Sequence, residues 1–120
     1  MKDLLEQIND IPGVLGSMVI TRDGILAVAC MGQDLREDAV AALSSSIAMT
    51  LRRSLEPTSL ANDPSEILLT ASRGRLLYLD LGDAYLVVVT RPNLRLDTDM
   101  VEIRGVAKKI RDRCVMKLAP

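Results

Sequence analysis

The sequence predicts an α/β fold of the α+β kind, in the order helix, two-stranded hairpin, long helix, three-stranded meander, long helix. Three observations carry this. The stretch Arg36 to Ser54 repeats apolar side chains at the helical period and has no charge between Asp38 and Arg52. Two strand-like runs flank Arg22-Asp23-Gly24, a sequence suited to a tight hairpin. Between Glu66 and Thr90, three more strand-like runs are joined only by Ser72-Arg73-Gly74 and Gly82-Asp83, and links this short connect antiparallel neighbours.

Lys2 to Asn9 places Leu4, Leu5 and Ile8 on one side of two turns, with Asp3 in the first turn, and forms a short amphipathic helix. Ile11-Pro12-Gly13 stops it, because proline disfavours helical geometry in the residue before it and glycine frees the turn after it. Val14 to Thr21 reads as a strand with Met18 and Ile20 on one face and Ser17, Val19 and Thr21 on the other. Asp23-Gly24 is the pair preferred in two-residue hairpin turns, where both central residues reach positive φ. Ile25 to Met31 is then the return strand, and Gly32 to Leu35 leads on to the central helix. Gly24 and Gly32 are turn glycines, since no Gly-rich spacing or Lys-Ser/Thr pair accompanies them to make a phosphate loop.

The central helix carries Glu37 and Asp38 at its front and Arg52 and Arg53 at its back, the signs its dipole favours. Val40, Leu43, Ile47 and Leu51 form a stripe of large apolar side chains, the face expected to lie on a sheet. Ala41, Ala42, Ser45, Ala48 and Met49 fall roughly 80 to 200° from it, where a solvated face would carry Lys or Glu. Two readings fit: a fully buried or weakly polar helix of a monomer, or a helix between its own sheet and a second copy. The second is preferred, and under it Ala48→Glu leaves the fold intact while lowering the mass in solution.

Glu56 to Ser65 is polar, holds two prolines and reads as a connection. The meander follows as Glu66 to Ala71, Arg75 to Leu81 and Ala84 to Thr90. In the second strand Leu77, Leu79 and Leu81 face one way and Tyr78 and Asp80 the other. The third, a continuous branched run, suits a central position covered on both faces. A last helix spans about Leu96 to Lys117 with Asp97 or Thr98 as its cap and Met100, Ile103, Ala107, Ile110 and Cys114 on its inner side. Its basic rows, including Arg104, Lys108, Lys109 and Arg111, read as a solvated face, with an acidic partner or membrane surface as the alternative.

A chain of 120 residues fits one domain, residues 1–120, with a core that needs neither disulfides nor metal. With Tyr78 and Tyr85 as its only aromatics, it lacks the stacking platforms that single-stranded nucleic acid requires. A net charge of −1 with interspersed signs gives no field to attract phosphate backbones or anionic lipid. Cys30 and Cys114, far apart in apolar stretches, read as free thiols, which fits a reducing cytoplasm. No signal-peptide core follows Met1, and no charge-free run approaches the roughly 20 residues of a membrane span. There is no histidine, neither cysteine sits in a CxxC pair, and Ser44-Ser45-Ser46 lies inside a helix rather than on a nucleophile elbow. Intrinsic catalysis is not expected, nor is a cofactor.

The element order, together with Ile11-Pro12-Gly13-Val14-Leu15-Gly16-Ser17, Arg22-Asp23-Gly24, the small-residue central helix, Leu76-Leu77-Tyr78-Leu79-Asp80 and the Leu86 to Thr90 strand, resembles the Roadblock/dynein light chain family. Within it the chain is similar to bacterial and archaeal members of the MglB kind, and the resemblance runs over essentially the whole length. It implies a five-stranded antiparallel sheet with the central helix on one face and the terminal helices on the other. It also implies dimers in which the Glu66 to Ala71 strand pairs with its symmetry mate and the central helices pack side by side. The self-association residues expected from it are Ala41, Ser45, Ala48, Ile67, Leu68 and Leu69, and the surface for another protein is Ser46, Met49 and Arg53. The resemblance further implies a non-catalytic regulator or scaffold of a small Ras-like GTPase, which acts by repositioning the GTPase's own residues. Arg52 and Arg53 are accordingly helix-end charges rather than supplied fingers. The alternative is a nucleotide-independent dimeric adaptor or a motor-associated, light-chain-like binding module.

Overall fold

The computed structural model describes residues 1–60 and 64–118. Its elements are α1 (Lys2–Asn9), β1 (Val14–Thr21), β2 (Leu26–Met31), α2 (Glu37–Leu55), a 3-10 turn at Glu56–Thr58, β3 (Glu66–Ala71), β4 (Gly74–Asp80), β5 (Ala84–Thr90) and α3 (Leu96–Leu118). All five strands join one antiparallel sheet in the order β2-β1-β5-β4-β3. Within the Glu56 to Ser65 connection, Ala61, Asn62 and Asp63 lie outside the described residues.

The alternation read from sequence sorts the sheet into two faces. Val19, Leu77, Leu79, Leu86 and Val88 meet Leu4, Leu5 and Ile8 of α1 and Met100, Ile103, Val106, Ala107 and Ile110 of α3. Met18, Ile20, Leu76, Tyr78, Tyr85 and Val87 point the other way, toward Ala41 and Ala48 of α2. Strand β5 lies in the middle, and Leu86, Val87 and Val88 are wholly buried, as a branched run between two helical layers requires. Polar groups lock the layers in place. The Ser17 hydroxyl donates to Asn9 Oδ1 at 2.9 Å, and Asn9 Nδ2 donates to the Cys30 carbonyl at 2.7 Å, so the end of α1 is pinned across β1 and β2. Arg113 clasps Asp3 through Nη1–Oδ1 at 2.8 Å and Nη2–Oδ2 at 3.3 Å, joining the two terminal helices on the surface. That guanidinium, with the chain's own ammonium, holds the Asp3 carboxyl far below the usual carboxylate range.

Two local expectations change. Asp23-Gly24 does not form a two-residue turn: Gly24 N donates to Thr21 O at 2.9 Å and Thr21 N to Ile25 O at 2.9 Å, so the loop holds three residues, Arg22 to Gly24. Only Gly24 reaches positive φ, at 84°, which is the arrangement of a type I turn closed by one left-handed residue. Helix α3 begins at Leu96, ahead of both expected caps, and Asp99 Oδ2 accepts from the Arg95 N–H at 3.1 Å. Gly16 has a packing role the sequence did not reveal. A Cβ there would sit 2.9 Å from Met31 Cα, so only glycine lets β2 lie this close to β1.

Candidate interaction surfaces

Helix α2 sits on the sheet rotated by roughly a quarter turn from the orientation its large apolar stripe indicates. Ala41, Ser44 and Ala48 are buried, whereas Leu43, in the middle of the expected inward stripe, is 48 % exposed. Val40, Ile47 and Leu51 are half-buried along the helix flank. The reason is steric: the facing sheet already presents Met18, Ile20, Tyr78 and Tyr85, and long side chains below leave room only for short ones above. The Ser44 hydroxyl satisfies itself by donating to the Val40 carbonyl at 2.7 Å. The α2 residues expected to meet a second copy are turned largely inward within one chain. Ala41 and Ala48 face the chain's own sheet, and Ser45 is half-buried beside the β1–β2 loop, its Oγ 3.0 Å from where a Gly24 Cβ would stand.

The outward side of α2 carries the three residues expected to contact another protein. Ser46, Met49 and Arg53 are all exposed and fall on one face with Ala42, Leu43 and Thr50. Met49 is 51 % exposed, so this face is apolar and small from Ala42 to Thr50, and its charge begins only at Arg53. Sequence reasoning put Ala42 and Met49 on the side away from the sheet but missed Leu43 as an outward residue. The signal that finds it is the absence of charge on every side of the helix, which leaves steric fit to the sheet as the deciding factor.

Strand β3 is the second surface. It pairs with β4 alone and forms one edge of the sheet. Leu68 and Leu69 are 49 % and 40 % exposed, and among the described residues no further strand pairs with their outer edge. Ile67 packs on the α2 side, while Leu68 turns to the α3 side beside a groove of about 340 Å³ lined by Leu77, Leu79, Leu96 and Met100. Glu66 closes one end by a two-pronged pair with Arg104, Nε–Oε2 and Nη2–Oε1 each 2.8 Å, which holds the Glu66 carboxyl below its ordinary pKa. A long apolar edge of this kind invites pairing with another chain.

Beneath the end of α2 lies a polar cluster. Arg52 Nη2 donates to the Tyr85 hydroxyl at 2.8 Å, tying the helix end to β5. Arg22 stacks its guanidinium 5.2 Å from the Tyr85 ring centre and stands 3.6 Å from Asp80. Arg52 is therefore engaged in the fold, in keeping with a helix-end charge. The Tyr78 ring lies 4.6 Å from that of Tyr85, and its buried hydroxyl has no hydrogen-bond partner among the described residues. Burial, with Tyr85 adding to it, raises the Tyr78 phenol well above its usual range. Tyr78→Phe removes a buried unpaired group and is expected to raise stability by about 1 kcal/mol. Tyr85→Phe loses the Arg52 bond and is expected to lower it. Urea unfolding curves of the two variants that move in the same direction would refute this account.

These features give a small sheet-and-helix domain with an exposed face on α2 and an exposed strand edge at β3. The chain belongs to the Roadblock/LC7 domain family, whose profile matches residues 1–90. It is 25 % identical over 108 residues to the uncharacterized protein MJ0714 of Methanocaldococcus jannaschii, across 90 % of this chain and 91 % of that one. Its fold is similar to the Roadblock/LC7 domain from Streptomyces avermitilis, with TM-score 0.80 and 17 % identity over 96 % of this chain and 98 % of the other. It is also similar to the gliding protein MglB from Thermus thermophilus, with TM-score 0.80 and 16 % identity over 92 % and 85 % of the two chains.

Proposed function

We propose that this protein is a homodimeric, non-catalytic regulator or scaffold of a small Ras-like GTPase in the cytoplasm. It pairs with itself along β3 and offers the outward face of α2 to the GTPase. The observation that carries the reading is the uncharged, exposed face of α2 formed by Ala42, Leu43, Ser46, Met49 and Thr50, on the same side of the sheet as Ile67 of the edge strand. An uncharged helix face and an apolar edge are both unfavourable in water, and joining two copies about a two-fold axis covers part of each. Family membership and the likeness to MglB support the choice of partner class, since the resemblance noted in the sequence implies GTPase control. Arg53 marks the charged end of the proposed contact, and Arg52 supports it from below through Tyr85.

The test is retention of a small GTPase on immobilised protein in the presence of a non-hydrolysable GTP analogue or of GDP. A regulator holds the two states differently, because only differential affinity shifts a switch. Retention mainly in the GTP condition is expected, and the double variant Met49→Ala, Arg53→Ala is expected to reduce it at least tenfold, about 1.4 kcal/mol. Equal retention in both nucleotide states would favour the adaptor reading. Undiminished retention by the double variant would move the contact away from α2.

A further inference from the structure

Strand β3 is more than an open edge, because its backbone allows one symmetric pairing to satisfy it better than the others. Asp80 N donates to Ser65 O at 2.9 Å, and the register that pairs Glu66 with Leu79 sets Ser65 directly opposite Asp80. Hydrogen-bonded pairs alternate along an antiparallel ladder, so Ile67, Leu69 and Ala71 turn their peptide groups toward β4. Glu66, Leu68 and Thr70 consequently turn their N–H and C=O groups outward, to the edge.

A two-fold axis perpendicular to the sheet returns each face to itself. Residues facing each other across that axis must therefore share a face, and the axis passes beside a residue instead of between two. Centred on Leu68, the pairing sets Leu68 against the partner's Leu68 and Glu66 against the partner's Thr70, so every outward peptide group finds a partner. Centred on Ile67, it sets Thr70 against the partner's Pro64, which has no N–H to give. Centred on Leu69, it sets Glu66 against the partner's Ser72, which lies in the β3–β4 turn. Side chains favour the same answer. The Leu68 register places leucine on leucine on the α3 side and Ile67 against the partner's Leu69 on the α2 side, whereas the other two place Leu69 against the partner's Ser65 or Ile67 against the partner's Ala71.

We infer that a second copy of this chain adds to β3 in the register centred on Leu68, so that the two Leu68 side chains meet on the axis and close the open side of each Leu77–Met100 groove. The inference rests on the dimer reading above and goes further by fixing which residues touch. Glu66, already clasped by Arg104, then faces a threonine hydroxyl and not a second carboxylate.

Single cysteines introduced into a Cys30→Ala, Cys114→Ala background test it under mild oxidation. Cα atoms of a hydrogen-bonded pair lie about 5.5 Å apart, inside the disulfide range. Leu68→Cys is expected to convert most of the protein to a covalent dimer, and Ile67→Cys and Leu69→Cys are each expected to stay uncrosslinked when alone. Mixing those last two variants is expected to give a crosslinked heterodimer. A parent chain that is dimeric by light scattering but crosslinks through Ile67→Cys or Leu69→Cys alone, or at none of the three positions, overturns the register and leaves the dimer. A parent chain that is monomeric at every concentration overturns both.

Discussion

Ala48→Glu is expected to unfold the protein. Ala48 is 3 % exposed and packs in the layer that contains Met18, Ile20, Tyr78 and Tyr85, none of which offers a cation to a carboxylate. A buried carboxylate costs on the order of several kcal/mol, the guanidinium of Arg52 one turn further on is already engaged with Tyr85, and a longer side chain must in addition force the helix off the sheet. That is comparable with the roughly 5–15 kcal/mol that holds an average domain folded. Ala42→Glu, on the exposed side of the same helix, is expected to leave the circular dichroism spectrum and the cooperative melt in place. An Ala48→Glu chain that is folded, with an unchanged melting temperature, would show that α2 does not rest on the sheet through its small residues. The sequence alone points to the opposite result, in which this substitution would merely separate two copies.

The second large effect is on the other face of the sheet. Ile103 is wholly buried where α3 crosses the layer of Val19, Leu77, Leu79, Leu86 and Val88, and it sits beside Val106, Ala107 and Ile110 in the same cluster. Ile103→Ala leaves a cavity there and is expected to lower the unfolding free energy by about 2–5 kcal/mol, read as a shift of the urea midpoint at constant slope. Val101, two residues away, is 68 % exposed, and Val101→Ala is expected to change stability by less than about 0.5 kcal/mol. Similar losses for the two variants would mean that α3 is rotated about its axis relative to the placement described.

Where the two faces of an element differ in chemistry, the sequence was enough. In α3, charges at Glu102, Arg104, Lys108, Lys109 and Arg111 leave only one side to face inward, and Met100, Ile103, Ala107 and Ile110 are buried there. In β1 and β4, a period of two separates Met18, Ile20 and Tyr78 from Val19, Leu77 and Leu79, and the structure keeps that division. The edge position of strand β3, with Ile67, Leu68 and Leu69, was implied by the family resemblance and not by the pattern of the strand itself, and the sheet order places β3 at an edge. Helix α2 was not legible in the same way. Without charge between Asp38 and Arg52, large and small apolar residues compete for the sheet on nearly equal terms, and volume decides instead of polarity.

The sequence by itself determined the order and type of the elements and the faces of α1, α3 and the strands. Periodicity and charge are local properties, and these features depend on little else. The tertiary structure alone decided that Ala41, Ser44 and Ala48 lie on the sheet while Leu43 faces out, that Arg52 reaches Tyr85, and that Gly16 admits the backbone of Met31. Each of those depends on the size of a side chain many residues away, and close packing is a property of the assembled layers that no single stretch of chain encodes.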